Sequence, residues 1–177
     1  MSKLLLIAGP CSAESREQVL ACAALSRAAG ADIFRAGVWK PRTHPGCFQG
    51  AGEAAIPWLV EAQRASGIPA ATEVACAQHV RLCLQAGLRV FWIGARTTTN
   101  PFLVQEIADA LKGNEVKLFV KNPVNPDIDL WVGAVERLKE AGLEDISLIH
   151  RGFGSISPGK YRNAPQWQLL LQKHHGE

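Results

Sequence analysis

Short apolar runs alternate with longer segments of helical spacing along most of the 177-residue chain. The runs Lys3–Ala8, Asp32–Arg35, Pro69–Glu73, Arg89–Ile93, Lys117–Lys121 and Asp145–His150 predict strands. Between them, apolar residues recur every three to four positions, which predicts helices over Ser15–Ala29, Glu53–Ser66, Ala77–Ala86, Pro101–Leu111 and Ile128–Ala141. Most strand runs, such as Leu4-Leu5-Leu6-Ile7 and Val90-Phe91-Trp92-Ile93, do not alternate with polar residues. Strands apolar on both sides are buried on both faces, as in a parallel sheet flanked by helices. The punctuation agrees: Gly30, Gly67, Gly87 and Gly142 each stand between a helical segment and the next strand, where helices end. Ser15 and the Asn100-Pro101 pair have the chemistry of helix starts.

Repeated βα units of this kind build either an open doubly wound sheet or a closed (β/α)₈ barrel of the TIM type, the latter needing roughly 250 residues. The expectation is an α/β chain of one domain, residues 1–177, with about six βα units of an eight-unit barrel and the last two lacking. Tyr161–Lys173 reads as the sixth helix. Such an open barrel would leave two strand edges and apolar surface uncovered, which favours a homo-oligomer or a complementing partner.

Composition adds few constraints. Hydrophobic residues make up 47% and charged residues 20%, an ordinary globular balance, and a formal net charge of +3 is too small to argue for nucleic acid. Leu4–Ala8 is too short for a secretory core, and no run approaches the roughly 20 residues of a membrane span. Cys11, Cys22, Cys47, Cys76 and Cys83 are odd in number and irregular in spacing, which favours reduced thiols and a cytoplasmic setting.

Position matters more than net charge. Cys11 follows the first strand, Arg35 ends the second with Lys40 and Arg42 in the loop beyond, and Glu73 ends the third. Arg96 follows the fourth strand, Lys121 ends the fifth and Arg151 follows the sixth. Parallel α/β folds carry their sites at the carboxyl ends of strands, so basic side chains converging there from four strands predict an anion site. Guanidinium groups suit bidentate recognition of phosphate and carboxylate, and ammonium groups add point charge. Three other patterns carry less. Gly154–Lys160 resembles a phosphate loop, but Tyr161 stands where Ser or Thr is needed. Cys76, His79 and Cys83 have a zinc-like spacing but fall with Val80 on one helical stripe, the pattern of a buried face. His174-His175 reads as a tail.

The segments Ile7–Ser15, Phe34–Thr43, Ile93–Arg96, Val120–Pro123 and His150–Gly152 resemble, in the same order, the motifs of 3-deoxy-7-phosphoheptulonate (DAHP) synthases. The similarity runs from about Leu4 to Trp167, and Val120–Gly152 is similar to the branch sometimes fused to a chorismate mutase. The related 3-deoxy-octulosonate 8-phosphate synthases share the barrel, but usually carry an Asn-Arg element where this chain has Lys40-Pro41-Arg42-Thr43. The resemblance implies a transferase of the shikimate pathway to aromatic amino acids, condensing phosphoenolpyruvate with erythrose 4-phosphate. It also implies that Arg35, Lys40, Arg96, Lys121 and Arg151 hold phosphoenolpyruvate, that Lys40, Pro41, Arg42 and Thr43 contact the aldose phosphate, that Ala95 is a substrate-binding residue, and that Lys40 and Arg42 are catalytic. Cys11 would be one ligand of a divalent metal (Mn, Fe, Zn or Co). The family's other ligands, a His, a Glu and an Asp from the seventh and eighth strands, have no counterpart here, so the expected metal site is incomplete. The alternative is an inactive paralogue or fragment that at most binds phosphoenolpyruvate or phosphate.

Overall fold

A computed structural model describes residues 4–40, 42, 44–125, 127–154 and 161–162. Six strands form one parallel sheet in the order of the chain: β1 (Ile7–Ala8), β2 (Ile33–Arg35), β3 (Ala70–Val74), β4 (Val90–Ile93), β5 (Lys117–Lys121) and β6 (Ile146–Ile149). Each strand pairs only with its neighbours in sequence. A doubly wound sheet would reverse direction at a switch point, so the order selects the barrel architecture. The sheet is curled as six units of such a barrel.

Helices α1 (Arg16–Ala28), α2 (Ile56–Ser66), α3 (Ala77–Gln85), α5 (Pro101–Leu111) and α6 (Ile128–Glu140) cover the outer face. A short α4 (Ala95–Thr98) follows β4, and a 3₁₀ turn at Gly52–Ala55 precedes α2. Neither short piece was legible from periodicity, because four residues are too few to display it. The starts follow side-chain chemistry. Ser15 accepts from the Gln18 amide at 3.1 Å, Asn100 from the amides of Phe102 and Leu103, and Asp127 from that of Leu130.

The two-sided burial inferred from the runs is present. Outward residues Phe34, Val74, Phe91, Ile93, Leu118 and Val120 pack with Val19, Leu59, Val80, Ile107, Trp131 and Leu138 from the helices. Inward residues Ile33, Ala71, Val90, Trp92 and Phe119 form a second, smaller cluster, onto which Ile7 and Ile149 of the outermost strands pack. At the sheet edges Leu4, Leu5, Leu6 and Leu148 are exposed.

One expectation needs correction. Tyr161 and Arg162, expected to begin a helix, form strand β8, paired antiparallel with β7 (Phe153–Gly154). A ladder with an earlier segment overrides the local helical spacing there. Residues 163–173 of that expected helix, most of the loop-like Gly154–Lys160 segment and His174-His175 lie outside the described residues.

Gly9 marks where the chain leaves β1. Its φ is 144°, and a Cβ there would strike the carbonyl oxygen of Arg35. Gly9→Ala is expected to lower the stability of the fold by roughly 2–4 kcal/mol through strain and overlap together. Urea denaturation checks this, and an unchanged midpoint would contradict the close approach.

Candidate anion-binding site

Side chains alternate along a strand, so the residue two beyond an inward-facing one also faces inward. From Ile33, Ala71 and Phe119 of the inner cluster this rule leads to Arg35, Glu73 and Lys121, and from Val90 to Trp92. The inner surface is thus apolar at mid-strand and charged in its last layer. Register brings Glu73 opposite Trp92 and Trp92 opposite Phe119.

Trp92 is the floor of this layer and is buried, 4% exposed. The Arg35 guanidinium carbon lies 4.5 Å from its ring centroid, and Lys121 Nζ lies 5.0 Å from the same ring. Such cation–π contacts are each worth about 0.5–2 kcal/mol, more as water is excluded. Trp92 Nε1 donates to Glu73 Oε2 at 2.7 Å, fixing both the indole and the buried carboxylate. The other carboxylate oxygen lies against Gly94, where a Cβ would overlap it. Burial holds Lys121 below the ordinary lysine range. Arg35, Lys40 and Arg151 push the same way, and only Glu73 opposes them. Lys121 therefore senses three other cations against one carboxylate, and its surroundings have an unmet demand for negative charge. Arg35 Nε, buried without a hydrogen-bond partner, adds to that demand.

Lys40 reaches the cluster from the loop after β2. Pairing of β1 with β2 continues past the strands through a Ser12–Gly37 bridge, with Ala13 N donating to Gly37 O at 3.0 Å. This brings Cys11 and Lys40 together, Nζ to Sγ 3.3 Å. A side chain at Gly37 would collide with Lys40 Nζ. The loop itself is framed by Val38 N donating to Thr72 Oγ1 at 3.2 Å, Lys40 N to Gln49 O at 2.8 Å and Gly52 N to Val38 O at 2.8 Å.

Asn122 ties the last two strands together. Buried completely, it donates from Nδ2 to the carbonyls of Pro123 and Gly152 at 2.8 and 2.9 Å, and its Oδ1 accepts from the Arg151 amide at 2.6 Å. The residue after Lys121 thereby fixes the backbone of Arg151.

Of the residues expected from the sequence, Arg35, Lys40, Lys121, Arg151 and Cys11 are brought together. Arg42 is exposed, and its Nε donates to Phe48 O at 3.0 Å within its own loop. Ala95 opens α4, and Arg96 is exposed in the same turn. Pro41 and Thr43 lie outside the described residues. Trp92 and Asn122 were missed as site residues. The two-residue period counted back from Lys121 and Arg35 would have placed Trp92, whereas nothing in the sequence signalled the bonds of Asn122. A cleft of about 1050 Å³, lined by residues such as Arg89, Asn114 and Asp145, opens at the amino ends of the strands, away from this charge.

The described residues do not fit a complete metal centre. They hold no group of three or more His, Cys, Asp or Glu side chains arranged for a metal, and the exposed Cys11 thiol has an ammonium as its neighbour. One sulfur donor does not hold a divalent ion. On the expected zinc-like stripe, Val80 and Cys83 are buried, Cys83 with its thiol pushed up to about 12 by burial, while Cys76 and His79 are partly buried. No helix among the described residues is long and apolar enough to cross a membrane.

Fold and charge together define an α/β barrel-type chain with basic side chains gathered at the carboxyl edge of its strands. The chain belongs to the DAHP synthetase I family, which it matches over residues 2–165. It is 30% identical over 147 residues to phospho-2-dehydro-3-deoxyheptonate aldolase of Thermotoga maritima, covering 83% of this chain and 42% of that protein. The crystal structure of a T. maritima phospho-2-dehydro-3-deoxyheptonate aldolase (DAHP synthase) superposes with a TM-score of 0.80 at 24% identity, over 96% of this chain and 48% of that one. A truncated form of 3-deoxy-D-arabino-heptulosonate 7-phosphate synthase from the same organism gives 0.76 at 23% identity, over 96% and 60%. The chain thus spans about half the length of these relatives.

Asn122→Ala removes three buried hydrogen bonds and is expected to cost roughly 2–4 kcal/mol in urea denaturation. Asn122→Asp should not rescue it, since a carboxylate would face two carbonyl oxygens.

Proposed function

We propose that the chain binds phosphoenolpyruvate at the Arg35, Lys40, Lys121 and Arg151 cluster, and supplies this part of the site to a condensation with erythrose 4-phosphate that yields 3-deoxy-7-phosphoheptulonate and phosphate. The observation that carries the reading is the gathering of Arg35, Lys40 and Arg151 within electrostatic reach of Lys121, beside one buried carboxylate and on a tryptophan floor. Phosphoenolpyruvate carries a phosphate and a carboxylate, and so offers the negative charge this pocket lacks. Family membership and the name of the T. maritima relative support the same reaction.

In this reading the enol C3 of phosphoenolpyruvate attacks the aldehyde carbon, water adds at C2, and phosphate leaves with its bridging oxygen. Arg35 and Arg151 hold the acidic groups, Trp92 excludes water from beneath them, and Lys121 places charge where the phosphate departs. Lys40, joined by Arg96 and Ala95 of the turn after β4, faces the same anion. With Pro41, Arg42 and Thr43 it also receives the aldose phosphate, and Lys40 and Arg42 are the catalytic pair. The metal that the family's reaction uses would find only Cys11 among the described residues, so no step is assigned to it. The remaining ligands and the cover for the exposed strand edges would come from additional polypeptide or from a second copy. The reduced thiols favour a cytoplasmic setting.

The direct test is loss of phosphoenolpyruvate absorbance with erythrose 4-phosphate and Mn²⁺, against an EDTA control. Metal-dependent consumption is the expected result, and calorimetric binding of phosphoenolpyruvate without consumption would instead support the binding-only alternative. The absence of both consumption and binding would overturn the proposal.

Binding should also depend on pH with a defined sign. An arriving anion stabilises the Lys121 ammonium and raises its depressed pKa, so complex formation takes up protons. Affinity is therefore expected to be highest below that depressed pKa and to fall as pH rises through it towards the ordinary lysine value of about 10.4. Lys121→Met should weaken binding and remove this dependence in calorimetric titrations.

A further inference from the structure

The residue next to Lys40 makes a contact that the proposed chemistry does not use. The rings of Trp39 and His79 are stacked, centroids 3.7 Å apart and 3° from parallel. His79 lies in the first turn of α3, six residues after Glu73. Its Nδ1 accepts from the Ala75 amide at 3.3 Å. That bond fixes the ring plane and leaves the proton of the neutral ring on Nε2. On the other side of the stack, the backbone on both flanks of Trp39 is pinned, Val38 to Thr72 and Gly52, and Lys40 to Gln49. Gly52 lies beside the indole, where a Cβ would make ordinary contact with Trp39 Nε1. The stack joins the loop after β2 to the first turn of α3.

We infer that His79 is a positioning residue: its ring clamps Trp39 and so holds the adjacent Lys40 at the carboxyl ends of the strands. A flat ring-on-ring contact restricts both translation of the indole along the sheet and rotation of the loop about its ends. Lys40 Nζ then stays beside Cys11 and above Gly37, within the electrostatic reach of Lys121. The clamp is a property of the fold, but its meaning for catalysis rests on the roles proposed above for Lys40 and Arg42.

The test separates these two levels. Arg42 is exposed in the clamped loop, and trypsin cuts after it, whereas the Lys40-Pro41 bond resists. Native-state proteolysis, with the Arg42–Thr43 cut followed by mass spectrometry, reports opening of the loop without any substrate. His79→Ala is expected to speed this cut by about 3- to 10-fold relative to cuts elsewhere, at a temperature where circular dichroism shows the variant folded. His79→Phe keeps a flat ring and should return the rate to near that of the unaltered chain. An unaltered rate in folded His79→Ala, or a Phe variant as open as the Ala variant, would overturn the clamp. In calorimetry His79→Ala should also weaken erythrose 4-phosphate binding by a similar factor. If the unaltered chain binds no erythrose 4-phosphate, the functional reading fails while the proteolysis still decides the clamp. If it binds and His79→Ala binds equally well, the positioning role is overturned.

Discussion

Like charges resist being brought together, and this fold brings Arg35, Lys40 and Arg151 within electrostatic reach of Lys121 at one end of a small sheet. Much of the local architecture answers that repulsion. The Trp92 ring accepts two of the cations on its electron-rich face, and Glu73 sits buried among them as the one nearby carboxylate affecting Lys121. Trp92 and Glu73 are in turn fixed by a hydrogen bond to each other. The apolar layer beneath, built on Ile33, Ala71, Val90 and Phe119, keeps water from screening the cluster from below. An anion would relieve the charge gathered in this way, which is the physical basis of the binding role proposed for it.

The elements that hold this arrangement work through backbone more than through side chains. Gly9 lets the chain pass directly over Arg35, Gly37 makes room for Lys40, and Gly94 does the same for Glu73. Asn122 acts as a three-bonded link between the ends of β5 and β6. In each case a small or amide side chain stands beside a charged one, and the charged residue inherits its position from that neighbour.

The fold was legible to the extent that it depended on repetition. All six runs became strands in the expected order, and five helical segments became helices, because burial on both faces and a 3.6-residue period leave strong marks in a sequence. The charged layer was legible because the strand ends could be located. Contacts that depend on register between distant segments were not legible. Trp92 looked like one more apolar residue in Val90–Ile93, and His79 like part of a buried stripe, until curvature brought them against Glu73 and Trp39. The expected helical start at Tyr161 was overridden for the same reason, since Tyr161 and Arg162 pair with Gly154 and Phe153. Arg42 lies in the loop after β2 and Arg96 in the short α4 after β4, and their exposure depends on local conformations that periodicity does not encode.

The strictly sequential strand order has a consequence for how the molecule is made. Among the described residues, each parallel pairing of the main sheet closes over a single helix-containing connection. Such a topology keeps the entropy of loop closure low and lets the sheet grow one unit at a time from its amino end, as a chain emerging from a ribosome would present it. The growing edge would be the newest strand at every stage, and the first lasting contact at the future site would be the passage of Gly9 over Arg35.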